Sequence, residues 1–183
     1  MSPTTPLRPS TFSRLLRASA CALALGALAL PAAANIPLTE RQVLLGLFNG
    51  TDGQNWTNKT GWGAPIPGDE CSWFGVTCVG DNVTEISLWG NGLAGTLPTN
   101  LKDLTELKSF NVSENALSGA IPPLPAGLQN FSADDNLLTG AIPDLPAGLQ
   151  FFAANNNQLT SAIPDLPAGL QSFAAHNNRL SGA

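Results

Sequence analysis

The sequence predicts a solenoid closed at its N-terminal end by a helical cap, and three observations carry that prediction. A 21-residue unit opening Leu-Pro-Ala-Gly-Leu-Gln is written three times in succession, from Leu124, Leu145 and Leu166. The copy at 124–144 matches that at 145–165 at 15 of 21 positions, and the third copy, which stops at Ala183, matches the second at 13 of 18. In every copy the apolar residues fall on one grid and an asparagine follows at a constant offset. Self-similarity at a fixed short period marks a chain that stacks unit on unit, because a single turn cannot bury its own apolar face.

The grid reads Leu128, Phe131, Ala133, Leu138, Ile142, then Leu149, Phe152, Ala154, Leu159, Ile163, then Leu170, Phe173, Ala175, Leu180. The spacing from Phe131 to Ala133 is that of a strand whose alternate side chains enter a core. The asparagines are Asn136, Asn157 and Asn178. A buried amide left unpaired costs about 1 to 3 kcal/mol, so a column that stays Asn is expected to bond the backbone of its own and the neighbouring coil. Extended backwards, the register recovers Leu107, Phe110, Val112, Asn115, Leu117, Ile121 and, before them, Val83, Ile86, Leu88, Asn91, Leu93, Leu97. The solenoid therefore spans 83–183 as about five repeats, the last incomplete.

The run Leu107-x-x-Phe110-x-Val112-x-x-Asn115-x-Leu117-Ser118-Gly119-Ala120-Ile121-Pro122 is similar to the plant-type leucine-rich repeat. The three later units, with Leu-Pro before the strand, resemble the shorter LPX-type repeats of bacterial leucine-rich repeat proteins. The resemblance implies an α/β-type leucine-rich repeat solenoid. Its short parallel β-sheet lines the concave face, and its convex side is mostly irregular, 3-10 or polyproline.

Residues 1–34 carry Arg8, Arg14 and Arg17, an apolar run from Ala18 to Leu30, and then Pro31-Ala32-Ala33-Ala34. That is the pattern of a secretory signal with a small-residue cleavage site. The run is too short for a transmembrane helix, and Cys21, inside it, is read as discarded with the signal. Processing removes three of the eight basic residues and none of the 13 acidic ones, leaving 5 − 13 = −8. A chain so acidic is a poor partner for nucleic acid and for an anionic membrane surface. The expected location is secreted, cell-surface or periplasmic, with no transmembrane segment.

Residues 35–82 read as the cap. Thr39 with Gln42 is expected to form a capping box, Leu38 and Val43 a hydrophobic staple, and Val43, Leu44, Leu47 and Phe48 one buried helical face. Asn49-Gly50 ends the helix. Further on, Cys71-Ser72-Trp73-Phe74-Gly75-Val76-Thr77-Cys78 resembles the Cys-x-Trp-x-Gly-Val-x-Cys signature of the plant-type cap, so that the resemblance covers 38–183. Trp56, Trp62 and Trp73 are expected to cover the open side of the first coil. Cys71 and Cys78 are the only cysteines after processing, and in an exported chain two such residues form a disulfide. A structural metal site would need four ligands and finds two, so no metal or other cofactor is expected.

Copies of one unit share the same packing duties, so positions that differ between copies are candidates for recognition. Between the first two copies these are Asn130/Phe151, Ser132/Ala153, Asp134/Asn155, Asp135/Asn156, Leu137/Gln158 and Gly140/Ser161. Read through all coils, the strand-proximal columns give an exposed surface of Glu85, Ser87, Trp89, Ser109, Asn111, Ser113, Glu114, Asn130, Ser132, Asp134 and Asp135. It continues with Phe151, Ala153, Asn155, Asn156, Ser172, Ala174, His176 and Asn177. Of these, Glu85, Trp89, Asn111, Glu114, Asn130, Asp134, Asp135, Phe151, Asn155 and His176 are the candidate ligand-binding residues. The ladder Asn91, Asn115, Asn136, Asn157 and Asn178 is structural.

Each candidate also has a plain packing role open to it. Trp89 can fold back onto the cap, Phe151 can cover the open side of its strand, and Asp134 and Asp135 read as a solvated patch before they read as a weak calcium site with Asn155 and Asn156. His176, the sole histidine, has no Ser-His-Asp or Cys-His arrangement around it, so no catalytic residue is assigned. Six Asn-x-Ser/Thr sequons, at Asn49, Asn55, Asn58, Asn82, Asn111 and Asn130, are read as by-products of composition. The resemblance implies a non-enzymatic recognition module that binds a protein ligand on its concave strands. The rival reading is a structural or adhesive repeat protein, or one that binds polysaccharide through Trp89 and the Asn-rich columns.

Overall fold

The computed structural model describes residues 36–64 and 67–182, which belong to one compact unit, Ala33–Ala183. The expected signal segment lies outside the described residues. Among the described residues no helix is long and apolar enough to cross a membrane.

The described residues begin with one α-helix, α1 (Leu38–Gly50), which buries Val43, Leu44, Leu47 and Phe48, the helical face expected from the sequence. The capping box and staple do not form. Pro37 is the N-cap and makes no side-chain cap bond, Thr39 lies inside the helix, and Leu38 is 70% exposed while Val43 is fully buried. The helix is held instead by two charged residues turned inward. The Glu40 carboxylate accepts the Val83 N–H at 2.8 Å, and Arg41 pairs with the buried Glu70 while donating to the Ala64 carbonyl at 2.6 Å. At the other end Gly50 is the last helical residue, and Thr51 closes the helix through its N–H and hydroxyl on the Leu47 carbonyl, at 3.1 and 2.6 Å.

Behind α1 the cap is an aromatic cluster. Phe48 meets Trp56 edge-on at 5.3 Å, Trp56 meets Trp62 at 4.9 Å, and Trp62 meets Trp73 at 5.1 Å. All three indoles are buried, and each N–H finds an acceptor: Thr51 O, Phe74 O and the Asp69 carboxylate. A 3-10 turn, Glu70–Ser72, carries Cys71, which is disulfide-bonded to Cys78.

Two sheets make the solenoid. The larger joins β1 (Val76–Val79), β2 (Asn82–Ser87), β4 (Ser109–Asn111), β6 (Asn130–Ser132), β8 (Phe151–Ala153) and β10 (Ser172–Ala174), in that spatial order. All its pairings from β2 onward are parallel. At its end β1 runs antiparallel to β2 through a tight Gly80-Asp81 turn. A second parallel sheet, absent from the sequence reading, joins β3 (Ala94–Thr96), β5 (Ala116–Ala120), β7 (Leu137–Gly140) and β9 (Gln158–Leu159). Beyond it the coils return without regular structure, apart from one 3-10 turn at Leu101–Asp103.

The core follows the grid. Phe110, Phe131, Phe152 and Phe173 stack in sequence with centroids 6.0, 5.3 and 5.2 Å apart. Each stacked pair adds about 0.5 to 1.5 kcal/mol to what burial alone supplies. Ile163 departs from its predicted place: it is 44% exposed where Ile142 is 4%. Ile142 is covered by the coil that bears Ile163, and no coil is stacked on Ile163 among the described residues.

The asparagine ladder performs the predicted bonding. Asn136 donates to Val112 O in the preceding coil at 3.0 Å and to Ala133 O and Asp134 O in its own, while its Oδ1 accepts the Leu117 N–H at 2.9 Å. Asn115, Asn157 and Asn178 repeat this pattern. Asn91 differs, because no repeat precedes it. Its amide exchanges bonds with the Asn58 backbone, at 2.7 and 2.9 Å, and so ties the first coil to the cap.

Candidate concave recognition face

Side chains alternate across a strand, so residues flanking each buried phenylalanine must face outward. The pairing register places Thr77, Glu85, Ser109, Asn130, Phe151 and Ser172 in one row across the larger sheet. A second row holds Ser87, Asn111, Ser132, Ala153 and Ala174. Backbone bonds carry the order one step past the strands. The N–H groups of Gly90, Glu114, Asp135 and Asn156 donate to the carbonyls of Ser113, Asp134, Asn155 and His176 at 2.9 to 3.0 Å. A third row, Trp89, Ser113, Asp134, Asn155 and His176, is thereby aligned.

The middle row is Ser87, Asn111, Ser132, Ala153 and Ala174, and the rows on either side of it carry Glu85, Phe151, Trp89 and Asp134 alongside the smaller Ser109, Ser113 and Ser172. At the cap end the middle row continues into Gly75, whose carbonyl accepts the Ser87 N–H at 2.7 Å. Gly75 has φ +77, and a Cβ there would lie 2.2 Å from Ser87 O. Only glycine permits this approach of β1 to β2, which accounts for its place in the Cys-x-Trp-x-Gly-Val-x-Cys run.

The structure places Trp89 at 56% exposure and Phe151 at 43%. Neither is folded into the core, although the other three tryptophans and Phe48, Phe110, Phe131 and Phe152 are buried. Glu85 and His176 are exposed, and Asn111, Asn130, Asp134 and Asn155 are half-buried. Ser113 corrects the sequence reading. It is 4% exposed, and its hydroxyl donates to the Asp134 carboxylate at 2.7 Å.

Glu114 and Asp135 stand on a different footing from the rest. They occupy a fourth column with Gly90, Asn156 and Asn177, and all five have left-handed backbone, φ +52 to +57. Glycine, Asn and Asp tolerate that conformation, whereas other residues adopt it at about 1 to 2 kcal/mol. Their variation between copies is therefore restricted by the turn and is not free of packing duty, as the comparison of copies assumed. Three of them also form a surface ladder: Asn177 donates to Asn156 at 2.6 Å, and Asn156 to Asp135 at 2.7 Å. Asp134 and Asp135 thus already accept from neutral donors, and among the described residues no three His, Cys, Asp or Glu gather as a metal-ligand set.

Sequence reasoning missed Thr77 and the β1–β2 hairpin that brings it to Glu85. The signal was present in Gly80-Asp81, a two-residue turn between β-rich runs. It also missed the buried Arg41 and Glu70, which pair within the non-repetitive cap, and the buried Glu40, which accepts the Val83 N–H where the first repeat begins.

No family model matches the sequence. Among solved structures the chain is similar to the BIR2 ectodomain of Arabidopsis thaliana, with 28% identity, a TM-score of 0.67, and 81% of this chain and 84% of that one covered. It is also similar to a chain of the BIR3–SERK2 complex from the same plant, with 27% identity, a TM-score of 0.62, and 77% and 84% covered. Among curated proteins it is similar to Protein MALE DISCOVERER 1 of Arabidopsis thaliana, 54% identical over 52 residues, which are 28% of this chain and 8% of that protein. The next, Receptor-like kinase TMK4 of the same species, is 46% identical over 54 residues, 6% of its length. The chain therefore spans only a small fraction of these curated relatives. By its repeat register, asparagine ladder, disulfide-bonded cap and structural neighbours, the chain has the leucine-rich repeat solenoid fold and is similar to plant leucine-rich repeat ectodomains.

Proposed function

We propose that this chain is an exported, non-enzymatic recognition module that binds a protein ligand through the exposed face of its larger sheet. The observation that carries the reading is the exposure of Trp89 and Phe151 on an otherwise polar, small-residue face, in a chain whose other large ring systems are mostly buried. Aromatic groups framed by polar ones are the usual substance of interface hot spots, each worth about 2 kcal/mol or more when truncated. The similarity to a chain solved within the BIR3–SERK2 complex supports a partner that is itself a protein. A location outside the cytoplasm accords with the signal-like segment at 1–34 and with a disulfide in the cap.

The test is binding by Trp89→Ala and Phe151→Ala. Each is expected to weaken ligand binding tenfold or more while leaving the melting temperature within about 2 °C of the parent, since neither side chain supports the core. Unchanged affinity in both variants would overturn the reading. The same face favours a second reading, polysaccharide binding, because Trp89 stands beside columns of Asn and Ser. Retention on a glycan array that no protein partner displaces would replace the first reading with the second. Turnover on a hydrolase panel that disappears in Asp134→Asn would overturn the non-enzymatic assignment.

A further inference from the structure

We infer that a cavity at the rim of the larger sheet, between the β1–β2 hairpin and the entry to β4, binds a free α-amino acid with an apolar side chain. The site is separate from the rows proposed for a protein ligand, and its test does not depend on them. The cavity has a volume of about 450 Å³ and is lined by Val79, Asn82, Thr84, Glu106 and Lys108. Small-molecule sites usually enclose roughly 300 to 1,000 Å³, so this one suits a ligand at the small end of that class.

The cavity forms where the repeat gives way to the hairpin. Strands β6, β8 and β10 are each entered through a Leu-Pro-Ala-Gly-Leu-Gln run, whereas β2 follows a hairpin whose first strand ends at Val79 and whose second begins at Asn82. The pairing register shifts between Thr77 and Cys78, which leaves Thr84 without a partner on β1. Three bonds fix these walls. The Val83 N–H, between Asn82 and Thr84, donates to the buried Glu40 carboxylate at 2.8 Å. The Thr84 hydroxyl donates to Thr77 O at 3.3 Å, and the Lys108 N–H donates to Thr84 O at 2.8 Å. A site ordered before its ligand arrives loses less on binding.

Charge selects the ligand. The Lys108 ammonium and the Glu106 carboxylate lie 4.0 Å apart, with side chains 44% and 55% exposed. At that separation they do not hydrogen-bond each other, and among the described residues neither group bonds to a third. The cap's ions differ, because Arg41 and Glu70 close on one another and Lys59 donates to the Gln54 carbonyl. One cation beside one anion, each with free hydrogen-bonding capacity, matches a molecule that carries an ammonium and a carboxylate on the same carbon. Its ammonium goes to Glu106 and its carboxylate to Lys108, whereas a ligand with a single charge meets one like charge. The lining is otherwise mainly apolar, and Val79, 70% exposed, is its one wholly hydrocarbon side chain. That surface receives the apolar side chain of the ligand. In a longer peptide the backbone separates the two terminal charges, and a pair this close no longer matches both.

The experiment titrates the isotope-labelled protein with L-phenylalanine, L-leucine and glycine and follows backbone amide shifts by NMR. The expected outcome is saturable shifts at Val79, Asn82, Thr84, Glu106 and Lys108 in the millimolar range, with none at Ser132 on the sheet face. Glycine, which lacks an apolar group, should bind about tenfold or more weakly than L-phenylalanine. Phenethylamine and 3-phenylpropionate, each lacking one charge, should bind about two- to fivefold more weakly, the range of an exposed ion pair. Glu106→Gln and Lys108→Met should each weaken L-phenylalanine by the same factor and leave the melting temperature unchanged. No saturable shift at these five residues, shifts that persist undiminished in both variants, or glycine binding as well as L-phenylalanine would overturn the inference. Full-strength binding of either singly charged analogue would overturn the assignment of an amino acid.

Discussion

Replacing Asn136 by Ala isolates the contribution of the ladder, because the structure allows the consequence to be counted group by group. The side chain donates to Val112 O, Ala133 O and Asp134 O. Each of those carbonyls keeps another donor: Asn115 Nδ2, Asn157 Nδ2 and the Glu114 N–H respectively. The Leu117 N–H has no such reserve. It donates to Asn136 Oδ1 at 2.9 Å from a buried position, and truncation orphans it. One orphaned buried donor costs about 1 to 3 kcal/mol, and the small void adds to it, so a loss of about 2 to 3 kcal/mol is expected.

For a domain of this length that is a fall in melting temperature of about 4 to 12 °C. Asn178→Ala removes the same pattern of bonds where the residue is half-exposed and water can replace them, so its loss should stay below about 1 kcal/mol. Asn136→Asp keeps an acceptor for Leu117 but faces the carbonyls with a charge, so its loss should exceed that of Ala at pH 7 and shrink as the pH falls and the carboxyl is protonated. Thermal and urea melts of the three variants measure this directly. An Asn136→Ala variant within 0.5 kcal/mol of the parent, taken as roughly the size of a neutral surface change, would refute the count.

Three other predictions concern the cap and the export of the chain. Burial of Glu40, opposed by its bond from Val83 and reinforced by the nearby Glu106, raises its carboxyl above the ordinary 4.5. The folded state then holds the proton to higher pH than the unfolded one, so this contribution to stability is complete below 4.5 and is lost as the pH rises through the raised value. Glu40→Gln should flatten that part of the stability profile in melts from pH 4 to 8, and an unchanged slope would contradict the assignment. Cys71→Ser/Cys78→Ser opens a short loop that the chain-entropy relation values at about 2.5 kcal/mol, so a urea midpoint shift equivalent to 2 to 3 kcal/mol is expected, and none would place the stabilisation elsewhere. The intact mass of the protein recovered outside the producing cell should equal residues 35–183 and rise by two hydrogens on reduction; a mass that retains 1–34 would contradict processing.

The repeat was legible because it is written several times: the columns of Leu128, Phe131 and Asn136 could be read off one another, and each names a buried position in the structure. The second sheet was not legible. Its strands, such as Ser118-Gly119-Ala120, carry glycine and small residues whose extended conformation comes from the neighbouring coil and not from their own preference. The left-handed column was half visible, since Gly90, Asp135, Asn156 and Asn177 are residues that tolerate positive φ. Glu114 at φ +54 masked the pattern and made the column look free to vary. In the cap nothing repeats, so Arg41 and Glu70 gave no internal alignment from which their pairing could be inferred. On the sheet face, the exposure of Trp89 and Phe151 followed from strand alternation, whereas the burial of Ser113 depended on a single bond to Asp134 in the next coil.

Recognition through the exposed sheet face is tested most directly by site-specific photocrosslinking in the native setting. A photoreactive residue at Ser132, in the middle row of the larger sheet, is compared with one at Thr139 on the second sheet, each in the parent and in the Trp89→Ala/Phe151→Ala background. The account predicts a discrete protein adduct from position 132 that disappears in the double variant, and none from position 139. An adduct from position 139 alone, or one from position 132 that persists without both aromatic groups, would contradict it.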